Sequence, residues 1–181
     1  MVFQNYSLFP WLTVLKNVEF GLSLQGKPQR EITERARHYV NAVGLSNFEN
    51  AYPNQLSGGM KQRVAIARAL ANDPEVILMD EPFGALDSQT RVVMQQLLLG
   101  IWEKEHKTIL FVTHDIDEAL YLGEVVYVMS ARPGRIIDTI PVDFAHPRSY
   151  ELSTEPAFVD LKRRIQHNLH AEVHKALSTA A

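Results

Sequence analysis

A short apolar run, Val76 to Met79, leads directly into Asp80, Glu81 and Pro82, and it limits the possible folds more than any other stretch. Four consecutive apolar residues before a turn signal are typical of a strand that is buried on both faces of a parallel sheet. Ligands of open α/β sheets bind at the carboxyl ends of the strands, which is where the two acids stand. Adjacent strand residues face opposite ways, so we expect the two acids to have different roles.

The residues alone leave two interpretations of this acid pair open. An Asp at such a strand end commonly holds Mg²⁺ on a nucleotide, and the neighbouring Glu can polarise a water for attack on the γ-phosphate. The alternative is a solvated Asp-Glu-Pro turn that ends a strand and has no chemical role.

The rest of the sequence alternates between helical and strand patterns. Two further strands are predicted at Thr108–Val112, again buried, and at Val125–Met129, the latter with an antiparallel partner within Arg135–Val142. Helices are predicted at Arg30–Val43 with Gly44 as its cap, from Ser57 to Asn72, from Asp87, at Asp115–Leu122 and at Glu155–Leu177. Repeated βα units imply a parallel sheet with covering helices.

A second informative stretch, Leu56 to Arg63, contains Ser57, Gly58 and Gly59 at the predicted start of a helix. Glycines allow a ligand to approach the backbone closely, and the unpaired N–H groups of a helix start attract anions. The alternative is an N-capped helix with a glycine-rich entry, and for a bare Ser-Gly-Gly this alternative is favoured.

Composition excludes several functional classes. The chain has 181 residues, with 18 Lys and Arg against 21 Asp and Glu, a net charge of −3 and no cysteine. This charge gives no general attraction to nucleic acid, so we expect no nucleic-acid partner. The lack of cysteine excludes disulfides, thiolate zinc sites and thiol nucleophiles.

Five motifs, taken together and in order, resemble those of the ATP-binding subunits of ABC transporters. They are Gln4 after Val2-Phe3, the stretch Leu56–Arg63, the run into Asp80-Glu81-Pro82, Ala85-Leu86-Asp87, and His114 after Phe111-Val112-Thr113. Residues 8–14, 80–87, 113–119 and 130–135 are similar, more narrowly, to the nitrate, sulfonate, taurine and bicarbonate importer ATPases. Gly123-Glu124 departs from that subfamily, which usually carries Asp-Arg there.

The resemblance implies an α/β fold of the ABC ATPase type, a RecA-like P-loop NTPase sheet with a helical subdomain. It also implies three regions along the chain. Residues 1–74 would hold the Gln4 loop, the helical subdomain and the signature helix, residues 75–143 part of the α/β core, and residues 144–181 a connection and terminal helix.

The resemblance further implies a role for each motif residue in a dimer that sandwiches ATP and Mg²⁺. Within one subunit, Asp80 would help to hold Mg²⁺, Glu81 would act as general base, His114 would contact the γ-phosphate, and Gln4 would sense Mg²⁺ and the attacking water. Across the dimer, Ser57, Gly58 and Gly59 would bind the γ-phosphate of ATP held by the partner, and Asp87 would link the two sites.

Aromatic residues directly follow Gln4. Tyr6, Phe9 and Trp11 suit a groove for a short helix of a membrane-embedded partner, whereas the alternative is core packing in the helical subdomain. The resemblance implies transmembrane permease subunits as partners, a periplasmic or extracellular solute-binding protein as an indirect one, and a peripheral position on the cytoplasmic face of the membrane. The transported solute would be a small anion.

One motif of the family is absent from these 181 residues. No Gly-x-x-x-x-Gly-Lys followed by Ser or Thr occurs, and in the family this P-loop precedes the glutamine that corresponds to Gln4. We therefore expect the chain to be the C-terminal two-thirds of a subunit that lacks its Walker A segment and its N-terminal strands. The family places the P-loop strand between those matching Thr108–Val112 and Val125–Met129, so we expect unpaired edges there and no ATP hydrolysis by this chain alone.

Two other functions are alternatives to an importer ATPase. The first is a non-catalytic partner that lends its Ser57-Gly58-Gly59 face to a complete subunit. The second is a DNA-repair or chromosome-condensing ATPase, which carries a long coiled coil before the signature. Gln4 and Leu56 are only 52 positions apart, which disfavours the second.

Overall fold

A computed structural model describes the backbone of residues 1–179 and the side chains of residues 1–172. The chain divides into two compact units, of which the first is Met1–Val112 and the second begins at Thr113. Each unit has its own sheet and helices.

The first unit contains a parallel sheet of three strands. These are β1 (Val2–Phe3), β2 (Val76–Asp80) and β3 (Thr108–Val112), in the order β1-β2-β3. In the register, Phe3 pairs with Asp80 and Asp80 pairs with Val112. The predicted α/β class and the parallel pairing are confirmed, and all three strands end at the same edge of the sheet.

The expectation that β2 and β3 are buried on both faces is wrong. Side chains alternate along β2, where Ile77 is 1% exposed but Val76 is 50% and Leu78 is 41% exposed. On β3, Leu110 and Val112 are each more than half exposed. Such alternation means that one face packs inside the protein and the other faces water. A continuous apolar run therefore indicates a strand whose two faces could both be covered by other elements. In this unit only one face is covered.

Four helices complete the first unit: α1 (Val14–Ser23), α2 (Gln29–Ala42), α3 (Gly58–Ala71) and α4 (Ser88–Glu105). Helices α1, α2 and α3 pack against one another, and short 3₁₀ turns at Ser46–Phe48 and Pro53–Gln55 join α2 to α3. The predicted helices are confirmed, and their first and last residues agree to within about two positions, which is the usual uncertainty of helix ends. Gly44 has a φ of 71°, as its predicted role as a left-handed cap requires.

Side-chain caps set where three of these helices begin. Each capping oxygen accepts a hydrogen bond from the backbone N–H three residues later, in the pairs Thr13–Lys16, Ser57–Met60 and Asp87–Thr90. Such a cap satisfies an N–H group that has no partner within the helix, and it contributes about 1 kcal/mol.

The second unit contains α5 (Ile116–Leu122), strands β4 (Val125–Met129) and β5 (Ile136–Pro141), a 3₁₀ turn at Tyr150–Thr154 and α6 (Pro156–Thr179). The predicted antiparallel pairing of β4 with β5 is confirmed. Because β3 pairs with β2 and β4 pairs with β5, β3 and β4 fall in separate sheets among the described residues, as expected.

A buried arginine holds the second unit together. Arg148 is 6% exposed, and it donates hydrogen bonds to the carbonyls of Tyr121 at 3.0 Å, Gly123 at 2.9 Å and Val142 at 3.2 Å. The Tyr121 hydroxyl in turn donates to the Arg148 carbonyl at 3.0 Å. Burial lowers the pKa of Arg148. The guanidinium thus ties the carboxyl end of α5 to the end of β5.

We predict that Arg148→Met lowers the free energy of unfolding of this unit by about 3 kcal/mol, because several buried carbonyls lose a charged donor. Arg163→Met is the matched control, since Arg163 is an exposed arginine whose ion pair with Asp160 lies on the surface of α6. Urea unfolding followed by circular dichroism measures both variants. Equal stability of the two variants would show that the buried guanidinium contributes nothing.

A carboxylate on β5 docks α6. Asp138 accepts two hydrogen bonds from Arg164, at 2.9 and 2.6 Å, and one from Asn168 at 2.7 Å. The hydrogen bonds from Arg164, more than any other contact, lower the pKa of Asp138. This carboxylate therefore stabilises the fold above the pKa of an unfolded Asp, about 4. The contribution is lost as the pH falls through the lower, folded value.

We predict that the difference in melting temperature between the wild type and Asp138→Asn is constant at neutral pH and shrinks as the pH falls below about 4. Melting curves between neutral and acidic pH measure this difference. Asp160→Asn, which alters a far more exposed ion pair, is the control. A difference that does not change with pH would contradict the assignment.

Candidate functional site

Two of the predicted site residues meet at the carboxyl ends of the parallel strands. Gln4 directly follows β1, and Glu81 directly follows β2. A Cβ atom placed on Gly84 would lie 2.9 Å from Gln4 Nε2 and 3.5 Å from Glu81 Oε2. The glycine therefore leaves room for an amide and a carboxylate to stand side by side at this edge.

The two adjacent acids have different surroundings. By the alternation along β2, Asp80 lies on the exposed sheet face together with Leu78. Glu81 is half-buried with a φ of 42°, and its N–H donates to the Val112 carbonyl at 2.9 Å. A left-handed backbone at a residue other than glycine costs about 1–3 kcal/mol, and such strain concentrates at functional sites. The two acids thus have different surroundings, and the expectation that they have different roles stays a prediction.

The glycine-rich helix start is accessible from solvent. Ser57 and Gly58 are exposed, Gly59 is buried, and Ser57 Oγ accepts the Met60 N–H at 3.3 Å. The hydroxyl hydrogen of Ser57 stays available as a donor, and the first N–H groups of a helix have no partner within it. The structure thus contains the capped helix of the simpler interpretation together with the donors that an anion site needs.

Packing explains why position 59 is glycine. A Cβ atom on Gly59 would lie 2.6 Å from Thr90 Cγ2, which is closer than real Cβ contacts occur. Thr90 is itself fixed, because its N–H donates to Asp87 at 3.0 Å. Hydrogen bonds from Thr90, first from its backbone and then from its hydroxyl, lower the pKa of Asp87. Asp87 therefore caps α4 whatever its role between subunits.

His114 belongs to the second compact unit, whereas the other predicted site residues belong to the first. It is exposed, and it comes two residues after the end of β3. Asp115, the next residue, caps α5 by accepting the N–H groups of Asp117 and Glu118 at 3.0 and 3.2 Å.

The three predicted aromatic contact residues separate into two places. The ring centroid of Phe9 lies 5.7 Å from that of Trp11 and 4.4 Å from that of Phe20, and Trp11 is 69% exposed. Tyr6 lies elsewhere, because a Cβ atom on Gly58 would be 3.0 Å from Tyr6 Oη. Core packing therefore describes the half-buried Phe9 but not the exposed Trp11 of this aromatic cluster of Phe9, Trp11 and Phe20. The groove for a partner helix stays a prediction.

Sequence reasoning missed two residues that hold the segment after β1. Asn17 is fully buried, accepts the Phe9 N–H at 2.9 Å and donates to the Leu12 carbonyl at 2.9 Å. Arg68 donates to the backbone of the same segment from α3. Both positions carried a signal, since each is a strongly polar residue inside the apolar pattern of a helix.

Neither a metal cage nor a membrane span is built by the residues that the structure describes. Within residues 1–172, whose side chains are described, no three His, Asp or Glu side chains come together as a metal site. No described helix has the length and apolarity that crossing a bilayer requires.

Comparison with known proteins agrees with this geometry. A family model described as ABC transporter matches residues 1–84. Among solved structures, a dimeric ATP-binding cassette in a post-hydrolysis state with ADP and Pi superposes with a TM-score of 0.66 at 41% identity. The match covers 80% of this chain and 62% of that one. The fold is therefore that of an ATP-binding cassette.

Similar sequences are named as transporter components. An uncharacterized ABC transporter ATP-binding protein of Methanocaldococcus jannaschii is 55% identical over 98% of this chain and 65% of its own length. A nitrate import ATP-binding protein of Synechocystis is 55% identical over 87% of this chain and 62% of its own length. A taurine import ATP-binding protein of Rhizobium johnstonii is 48% identical over 94% of this chain and 67% of its own length. The chain belongs to the family of ABC transporter ATP-binding proteins, and it spans about two thirds of the length of these relatives.

We predict that Gly59→Ala lowers the free energy of unfolding by about 1–3 kcal/mol, because the new methyl overlaps Thr90 Cγ2. Adding Thr90→Ser removes that methyl, keeps the hydroxyl and restores most of the loss. Gly100→Ala in α4 is the control, since a Cβ atom there meets nothing within 4 Å. Urea unfolding of all four proteins tests the prediction, and a double variant no more stable than Gly59→Ala would contradict it.

Proposed function

We propose that the chain forms the larger part of an ABC importer subunit that hydrolyses ATP to drive uptake of a small anion such as nitrate, taurine or another sulfonate. The observation that carries the proposal is the meeting of Gln4 and Glu81 beside Gly84, at the carboxyl edge of a parallel sheet. The names of the similar import proteins support the class of solute.

The strand-end residues fit a magnesium nucleotide. The Asp80 carboxylate and the Gln4 amide oxygen are hard oxygen donors of the kind that Mg²⁺ prefers. Mg²⁺ is usually held by one or two carboxylates together with phosphates and waters, so these side chains suffice without a protein cage. When bound, the ion neutralises charge on the phosphates.

Glu81 is the general base of the proposed reaction. Its carboxylate takes a proton from a water whose oxygen forms a bond to the γ-phosphorus, while the bond from that phosphorus to the β–γ bridging oxygen breaks. The products are ADP and phosphate, and the proton stays on Glu81 until it returns to solvent. His114 contacts the γ-phosphate, and Gln4 orients the water beside Glu81.

The second wall of the nucleotide site comes from another subunit. Ser57, Gly58 and Gly59 bind the γ-phosphate of ATP held by the partner in a homodimer, using the hydroxyl and free N–H groups described above. Asp87 connects the two sites. The dimeric cassette solved with ADP and Pi supports this arrangement, since its chain is 41% identical to this one.

The aromatic cluster Phe9, Trp11 and Phe20 contacts a short helix of the transmembrane permease subunits, and Tyr6 borders this contact from its place over the start of α3. The exposure of Trp11 supports this role, because a large aromatic side chain in water is a typical anchor for a partner. The subunit thus lies peripherally on the cytoplasmic face of the membrane, and a solute-binding protein on the opposite side selects the anion.

A second candidate function is a non-catalytic partner that supplies only its Ser57-Gly58-Gly59 face to a complete ATPase. The exposed Ser57 and Gly58 at the start of α3 support it, because such a face can serve a partner's nucleotide without a nucleotide of its own. Mixing the chain with a P-loop-containing subunit of the same family separates the two candidates. ATP-dependent association without hydrolysis at this chain's own Glu81 supports the second.

We predict that Glu81→Gln in the complete subunit slows ATP hydrolysis by about 10²–10⁴-fold, because the general base is lost while the nucleotide contacts remain. ATP binding persists, so an ATP-bound dimer accumulates. Phosphate release measures the rate, and size-exclusion chromatography with ATP measures the dimer.

The matched control for this experiment is Glu75→Gln, the same change at an exposed position just before β2. It leaves hydrolysis unchanged. Normal turnover in Glu81→Gln would reject Glu81 as the general base.

A further inference from the structure

The segment between β1 and α1 lies along α3 and contacts it at two distant points. Near the start of α3, the Tyr6 hydroxyl lies over Gly58, 3.0 Å from the position of a Cβ atom on that residue. Near its end, Arg68 donates to the Ser7 carbonyl at 2.7 Å and to the Tyr6 carbonyl at 3.2 Å. Ten residues separate Gly58 from Arg68, which is about 15 Å of helix.

The backbone of the segment has an unusual shape at the point that Arg68 holds. Tyr6 and Ser7 have φ values of 53° and 46°, in the left-handed region that residues other than glycine seldom adopt. Two successive residues in this conformation present adjacent carbonyls to one side. Such a backbone persists only where surrounding contacts stabilise it. Here the Arg68 guanidinium stabilises it by donating hydrogen bonds to both carbonyls.

The same guanidinium reaches the aromatic cluster. The central carbon of the Arg68 guanidinium lies 5.7 Å from the centroid of the Phe9 ring, and Phe9 contacts Trp11 and Phe20. Burial lowers the pKa of Arg68, but a guanidinium stays charged at any physiological pH. Arg68 is therefore a permanent cation whose partners are two carbonyls and one aromatic face.

We propose that Arg68 is a positioning residue that joins the segment Gln4–Trp11 to α3, so that a partner touching the aromatic cluster moves Gln4 and the Ser57-Gly58-Gly59 helix start together. The coupling of that motion to ATP hydrolysis rests on the proposed function. A lysine has a single charged nitrogen without a planar fork, so it can replace only part of this contact.

Hydrogen exchange of the 181-residue chain tests the positioning directly. The probes are the N–H of Phe9, which donates to Asn17, and the N–H of Leu12, which donates to the Phe9 carbonyl. In Arg68→Met we expect both to exchange about tenfold faster, with a smaller change in Arg68→Lys, while amides inside α3 keep their rates. Arg63→Met is the matched control, because Arg63 is a half-buried arginine on α3 that donates to the Val43 carbonyl instead.

Two exchange results would overturn the proposal. One is unchanged exchange at Phe9 and Leu12 in Arg68→Met, and the other is an equal acceleration throughout α3, which would show general loosening of the helix. If Arg68→Met does not fold, the exchange rates of the Phe9 and Leu12 N–H groups in Arg68→Lys test the proposal instead.

ATP hydrolysis by the complete transporter in vesicles tests the coupling. We expect Arg68→Lys to lower the kcat stimulated by the membrane subunits about fivefold, with a KM for ATP that stays within about twofold of the wild type. Arg35→Lys changes neither, because Arg35 lies on α2 outside the motifs and donates to the Ala71 carbonyl. An unchanged stimulated kcat would overturn the coupling. If the wild-type transporter does not hydrolyse ATP, the proposed function fails and so does the coupling, while the exchange rates still decide whether Arg68 positions the segment.

Discussion

The parallel register of β1, β2 and β3 is the constraint on which the candidate site depends. Because Phe3, Asp80 and Val112 stand side by side, the residue that follows β1 and the residue that follows β2 leave the sheet at the same level. Gln4 and Glu81 are 77 positions apart in sequence, yet both border Gly84. A shift of one residue in this pairing would turn the strand-end side chains to the other face and disperse them.

Helix α3 is the second organising element, because it contacts two parts of the first unit, α4 and the segment after β1, at three points. Gly59 at its start lets Thr90 of α4 come close, Gly58 accommodates the Tyr6 hydroxyl, and Arg68 holds two carbonyls near its end. The small residues at the start thus serve packing, and in the proposed function they also let a phosphate approach the helix start. This double use explains how a glycine pair can be required by the fold and still suit phosphate binding.

Much of this arrangement could be predicted from local sequence. Caps such as Ser57 and Asp87, the left-handed Gly44 and the apolar strand runs are local signals, and the motif order identified the family. The burial of β2 and β3 could not be predicted, because a strand pattern does not say how many layers cover it. Arg68 carried the signal of a charged residue within an apolar helix pattern, but its partners could not be predicted. They are the carbonyls of the left-handed Tyr6 and Ser7, which are 62 and 61 positions away in sequence.

The exposed sheet face also affects how the chain behaves in water. The exposed face carries the apolar side chains of Leu78 on β2 and of Leu110 and Val112 on β3. Within residues 1–179, the only strand hydrogen-bonded to β3 is β2. Natural edge strands often discourage adhesion between molecules with lysine or proline, and Thr108–Val112 contains neither. The outer edge of β3 therefore keeps N–H and C=O groups that can pair with a further strand.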